Sequence, residues 1–130
     1  GAFDLALDRA RRREIFGKKI MDFQAKAFEF ADFHARIEAA RLMLWHACAS
    51  MDRGRDFRQE ASLAKYLTVE IARAVTPWAA DLFGAASVIF EHPIHKFPMD
   101  AWASSLGEGT QHVQKLVIFR ELMKKYQTDH

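Results

Sequence analysis

The tetrapeptide Gly107-Glu108-Gly109-Thr110 carries the residue best suited to do chemistry, a glutamate tethered between two glycines. Glycines tolerate positive φ and let a second molecule approach the backbone closely. Such a carboxylate can be aimed into a cleft, whereas one on a helix face meets water. Acidic turns with glycine also arise from ordinary turn geometry, so the motif by itself is weak. The chemistry it offers is general-base catalysis. A carboxylate that removes a weakly acidic proton needs its pKa raised by burial, and its substrate needs the developing carbanion stabilised. Nothing else in the chain offers that stabilisation unaided, so a base at Glu108 implies a cofactor that shares the work.

Other chemistry is less well supported. His92 and His95 flank a proline, His34 and His46 lie far apart on one helical pattern, and no His-Glu-x-x-His or Glu-x-x-His pair occurs. Scattered histidines are therefore expected, with no metal site. No Walker loop or dinucleotide-binding glycine motif is present. The run Phe83-Gly84-Ala85-Ala86-Ser87 reads first as a helix end, and second as a place where backbone amides approach a phosphate.

The composition sets the frame. The 130 residues fit one domain with a real core, half of them hydrophobic and 28% charged. A net charge of +2 makes no case for nucleic acid, and the cluster Arg9, Arg11, Arg12, Arg13, Lys18 and Lys19 reads mostly as a solvated face. No run of about 18 apolar residues exists to span a membrane, and no apolar signal core stands at the start. Cys48 is the only cysteine, which excludes an internal disulfide. It suits a reducing compartment, cytoplasm or mitochondrial matrix, and its apolar surroundings predict a buried small side chain. The chain opens abruptly at Gly1 inside a helical pattern, as a piece of a longer protein would.

The positioning elements read as helices. Phe3, Leu7, Ala10 and Glu14 mark a first one that stops near Phe16-Gly17. Phe23, Phe30, Ile37, Leu44 and Met51 recur every seven residues, with Ala27, His34, Arg41 and Cys48 beside them, until Asp52-Arg53-Gly54. That periodicity predicts a long helix with one buried face. A third helix opens at Asp56, with Gln59 completing a capping box. Its inner stripe is Ala64, Leu67, Ile71, Val75, Trp78 and Leu82, with a bend expected at Pro77 and an end at Gly84. Residues 85–97 read as a loop, Pro98 opens a short helix to Leu106, and Thr110 caps a last helix with Val113, Leu116, Val117, Arg120 and Met123 inward. Convincing strands are absent. The fold class is all-α, an antiparallel four-helix bundle.

Along nearly its whole length the chain resembles the C-terminal helical domain of flavin-dependent acyl-CoA dehydrogenases. Arg13-Glu14-Ile15-Phe16-Gly17-Lys18 looks like the family's R-x-x-F-G-x turn, with Ile20 and Phe23-Gln24 following as its F-Q. Glu38-Ala39-Ala40-Arg41-Leu42 is similar to E-A-A-R-L, Ala61 to Lys65 to A-x-x-A-K, and Leu82-Phe83-Gly84 to Q-I-F-G-G. Asp100-Ala101, Glu108-Gly109-Thr110 and Leu116-Val117-Ile118 match D-A, E-G-T and L-V-I in order and spacing. The resemblance implies that Glu108 removes the α-proton of an acyl-CoA thioester while the β-hydrogen leaves as hydride to flavin N5. It implies FAD contacts from Arg13, Phe16, Gln24, Gly84 and Thr110, with Arg13 reaching the diphosphate across a subunit boundary. It further implies a homodimer or homotetramer, and an electron-transfer flavoprotein or similar acceptor. Residues 1–130 would then be one helical-bundle domain at the C-terminal end of a longer flavoenzyme, inactive alone.

Some positions depart from the family pattern. Gly107 replaces a tyrosine, Asp81 a glutamine, Ala85 and Ser87 glycines, Met99 an arginine and His112 a glutamine. An aspartate near a diphosphate repels it unless it points away. Asp81, Ala85 and Met99 thus favour a second reading, a non-catalytic helical association module that has lost its flavin. A relative performing oxygenation or nitroalkane oxidation is a third reading, against which the glutamate at position 108 speaks.

Overall fold

The computed structural model describes residues 1–128. Its helices are α1 (Ala2–Arg12), α2 (Gln24–Asp52), α3 (Arg58–Asp81), the short α4 (Phe97–Ser104) and α5 (Gln111–Thr128). The centre is α3, which packs against each of the other four.

Small side chains let α1 lie close to α3. Its buried face is Ala2, Ala6 and Ala10, a row at i, i+4 spacing, while Phe3 and Leu5 seal its flanks. The expected row through Leu7 and Glu14 is corrected, because Leu7 is exposed and Glu14 leaves the helix. Where strands were not expected, Glu14–Ile15 (β1) and Lys18–Lys19 (β2) form a short antiparallel hairpin. Phe16 and Gly17 turn it with φ of 50° and 75°, and two left-handed central residues match the twist of a two-residue hairpin.

On α2 the sevenfold stripe holds only at first. Phe30 is buried and Ile37 half-buried, but Leu44 and Met51 are exposed while Ala40, Ala47 and Ser50 are buried. A straight helix drifts about 20° per heptad against a strict sevenfold repeat, so the packed face migrates off the stripe. Cys48 consequently lies exposed, not buried as its neighbours suggested. Gly54, with φ of 66°, closes the helix end.

Pro77 leaves α3 continuous from Arg58 to Asp81, and Arg73, whose carbonyl loses its usual partner, is exposed. The capping box expected at Asp56 and Gln59 is replaced by a different arrangement. Asp56 Oδ1 accepts from the Arg58 backbone amide at 3.2 Å, and Gln59 Oε1 instead accepts from Lys125 of α5. Hydrogen bonds from the Arg58 guanidinium, and next from its backbone amide, pull the Asp56 pKa from 3.8 to about 2. A depressed carboxylate contributes stability above its unfolded pKa and loses it as pH falls through the folded one. Acid unfolding should therefore show a gap between parent and Asp56→Asn that holds above pH 3.8 and closes toward pH 2.

Among the described residues two clusters form the core. Around Ile20, Phe30, Ala79, Phe83 and Ile94 gather the alanines of α1, and Ala40, Ile71 and Val75 make a second group. Trp78 bridges them, edge-on to Phe30 at 4.8 Å, with its indole N–H donating to Glu29 Oε2 at 2.7 Å. Burial pushes the Glu29 carboxyl up, but hydrogen bonds from Lys26 and Trp78 outweigh it and its pKa lies below the ordinary value. The segment read as a loop, 85–97, holds 3₁₀ turns at Gly84–Val88 and Pro93–Lys96 and places Ile94 at 0% exposure.

Candidate functional site

The candidate residues gather at two places along α3. The first lies beyond its C-terminal end. There Gly84 takes a φ of 57°, so the left-handed conformation rather than crowding calls for glycine, since a Cβ would meet nothing within 4 Å. Arg9 of α1 donates from Nε to the Leu82 carbonyl at 2.7 Å and from Nη2 to the Phe83 carbonyl at 3.3 Å, with its guanidinium 4.7 Å from the centre of the Phe83 ring. A cation there satisfies carbonyls at the end of α3 and complements its dipole. Sequence reading had placed Arg9 in a solvated basic face, and its half-burial becomes visible only when α1 docks.

Arg13 and Gly84 line one cleft of about 660 Å³, together with Lys26, Glu29, Asp81 and Ala85. The hairpin follows Arg13 directly, tied at its base by the Ile20 amide donating to the Arg13 carbonyl at 3.0 Å. Phe16 at the hairpin tip is 93% exposed. A bulky residue with positive φ and a bare ring is a costly arrangement for the chain by itself. Gln24 is exposed on the first turn of α2.

The second place is the connection between α4 and α5. Glu108 is exposed and holds a φ of 52°, and Gly109 beside it holds 88°. A Cβ at Gly109 would come within 2.7 Å of Gln114 Nε2, the movable end of a flexible side chain, so the positive φ rather than crowding calls for glycine. Thr110 Oγ1 accepts from the Val113 amide at 3.4 Å, the cap the sequence predicted for α5. Lys65 of α3 donates to the Ser104 carbonyl at 3.0 Å, which seats the loop against the N-terminal part of α3. From Lys65 to Asp81 is about 24 Å at 1.5 Å per residue. Within one chain, then, Glu108 and Thr110 stand apart from Arg13 and Gly84.

Gln111 was not singled out by sequence reasoning. It is 7% exposed, and its side-chain nitrogen donates to the Tyr66 carbonyl at 3.2 Å and to Glu70 Oε1 at 2.9 Å. Its place just after a capping threonine gave no signal, because the acceptors lie some forty positions earlier, on α3. The inward face expected for α5 is also corrected. Val113, Leu116, Arg120 and Met123 are exposed, only Val117 of the expected face is half-buried, and α5 turns Gln111, Gln114, Ile118 and Glu121 toward the bundle. The face that packs inward is mainly polar, held by the hydrogen bonds of Gln111, and most of the expected apolar stripe is left outside. Among the described residues no cluster of His, Cys, Asp or Glu is arranged to hold a metal ion, and no helix is long and apolar enough to cross a membrane.

Comparison with known proteins agrees with this architecture. The model of the acyl-CoA dehydrogenase C-terminal domain matches residues 1–123. The chain is 38% identical over 125 residues to the caffeyl-CoA reductase-Etf complex subunit CarC of Acetobacterium woodii, covering 96% of this chain and 33% of that protein. It is 34% identical over 127 residues to the mitochondrial short-chain specific acyl-CoA dehydrogenase of Bos taurus, covering 98% of this chain and 31% of that protein. Butyryl-CoA dehydrogenase from Megasphaera elsdenii superposes with a TM-score of 0.91 at 32% identity, covering 94% of this chain and 32% of that structure. The chain belongs to the acyl-CoA dehydrogenase family, in the part that forms its all-α C-terminal domain. It spans about a third of the length of the curated relatives it matches.

Proposed function

We propose that this chain is the C-terminal domain, residues 1–130, of a longer FAD-dependent acyl-CoA dehydrogenase in which Glu108 removes the α-proton of an acyl-CoA thioester. The observation that carries this reading is the backbone of Glu108. A non-glycine residue at φ 52° stores about 1–3 kcal/mol of strain, and such strain clusters where geometry matters to function. That residue lies between two glycines at the mouth of α5, at the family's position for the base.

The residues present fit FAD. In the cleft at the end of α3, Arg9 is committed to the Leu82 and Phe83 carbonyls and Lys26 to Glu29, leaving the exposed Arg13 to face a diphosphate. Phe16 offers a bare ring to a flat apolar group, while Gln24, Gly84 and Thr110 add an amide, a close backbone approach and a hydroxyl. Bound there, FAD supplies the acceptor for the hydride leaving the β-carbon. Glu108 accepts the α-proton on a carboxylate oxygen and holds it. Because Arg13 and Glu108 stand apart in one chain, their joint use of one flavin supports a shared site in a homodimer or homotetramer. The bare apolar residues Leu44, Trp45, Leu116 and Phe119 support the same assembly. An electron-transfer flavoprotein is the proposed acceptor, in keeping with the name of the Acetobacterium relative. The proposed compartment is the cytoplasm or the mitochondrial matrix.

One observation favours a second reading. Asp81 lines the same cleft as Arg13 and is exposed, which suits a non-catalytic association module without flavin. The test is to purify the full-length protein, supply FAD and add acyl-CoA without oxygen. Retained yellow colour that bleaches with substrate is the expected result. A protein that stays colourless after FAD is supplied supports the module instead, and colour that no acyl-CoA bleaches refutes the dehydrogenase.

A further inference from the structure

We infer that Gln111 is the positioning residue that keeps Glu108 in place, an inference that rests on the base assignment above. The loop from Ser105 to Thr110 is tied at three points. Before the glycines, Lys65 Nζ donates to the Ser104 carbonyl at 3.0 Å. Across them, Gln114 Nε2 donates to the Gly109 carbonyl at 3.3 Å. After them, Gln111 Nε2 donates to both the Tyr66 carbonyl and Glu70 Oε1 on α3. Lys65, Tyr66 and Glu70 occupy neighbouring turns of α3, so one rigid helix holds both ends of the loop.

Of these ties Gln111 is the most enclosed. Both of its partners are acceptors, so its amide nitrogen must face α3, and the orientation of the group is determined. Its Oε1 is then buried without a hydrogen-bond partner among the described residues. Leaving a buried acceptor unpaired is destabilising, and an apolar side chain of similar volume would avoid that. What the amide adds is a directional link from the start of α5 to α3, three residues from Glu108. A carboxylate displaced by about 1 Å from a productive pose loses on the order of 100-fold in rate.

The experiment uses the full-length, FAD-loaded protein and a saturable acyl-CoA. Gln111→Met, which keeps volume and removes both donations, should lower the rate constant of flavin reduction roughly 10- to 100-fold while the dissociation constant for acyl-CoA stays unchanged. Amide hydrogen exchange across residues 107–110, measured before substrate is added, should quicken. Glu70→Ala, at an exposed position that does not endanger the fold, should move both readouts in the same direction by less. Gln111→Glu sets two carboxylates against each other and should be slow, and adding Glu70→Gln should restore much of the rate, which loss of packing alone would not explain. Unchanged reduction and exchange in Gln111→Met and Glu70→Ala, alongside a Glu108→Gln variant that no longer reduces the flavin, would overturn the positioning role. Reduction at the parent rate in Glu108→Gln overturns the base assignment instead.

Discussion

Replacing Glu108 with glutamine is expected to slow substrate-driven flavin reduction in the full-length protein by about 10²- to 10⁴-fold, the usual worth of a positioned general base. Glutamine has nearly the same shape but accepts no proton at neutral pH, so the substitution separates chemistry from packing. The loop is held through Lys65, Gln111 and Gln114, none of which uses the Glu108 side chain. Substrate binding should accordingly persist, and the loss should fall on kcat rather than on KM. Glu108→Asp retains a carboxylate but withdraws it by one methylene, and an intermediate rate is expected. Single-turnover bleaching of the flavin measures all three. A parent-like rate in the glutamine variant removes Glu108 from the mechanism and leaves the chain as scaffold.

The largest effect on stability is expected at Ile94. This side chain has no exposure and belongs to the cluster that holds the alanines of α1, Ala79 and Phe83. Ile94→Ala should cost about 2–5 kcal/mol, since it removes buried methyl groups and leaves a cavity that a face of small, backbone-anchored alanines cannot close. Ile94→Val should cost about 0.5–1.5 kcal/mol. Chemical denaturation of both variants gives the comparison, and near-equal losses would mean that the site collapses around the deletion. Leu116→Ala is the control. Leu116 is exposed, so within this chain its truncation should stay within about 0.5 kcal/mol. A larger loss that depends on protein concentration would mark the α5 face as a contact between subunits.

These two sites also show what kinds of signal a sequence carries. The Glu108 loop was legible because its signals are local. Glycine before and after an acid, threonine before an apolar run and proline at a helix start each act through a few neighbouring dihedrals. The structure has Thr110 as a cap, Pro98 in the first turn of α4 and left-handed backbone at Glu108 and Gly109. Ile94 was not legible. It lies among His92, Pro93 and His95, where turn-forming and polar residues outweigh one isoleucine, and only the packing of its turn against α3 and α4 encloses it.

The same contrast runs through the helices. The sequence by itself determined that there would be long helices, to within a few residues where they would stop, and that Glu108 would sit in a break between two of them. Those outcomes follow from glycine, proline and capping residues whose influence reaches about one turn. It also carried enough of the family's pattern to identify the fold. Tertiary structure alone decided which face of α2 and α5 turns inward, that Arg9 leaves the basic face to satisfy the end of α3, and that Gln111 fastens the Glu108 loop to residues far earlier in the chain. The physical reason is that burial belongs to pairs of surfaces. An apolar stripe on a helix does not specify which surface will cover it, and a buried amide has no meaning until the acceptors opposite it are in place.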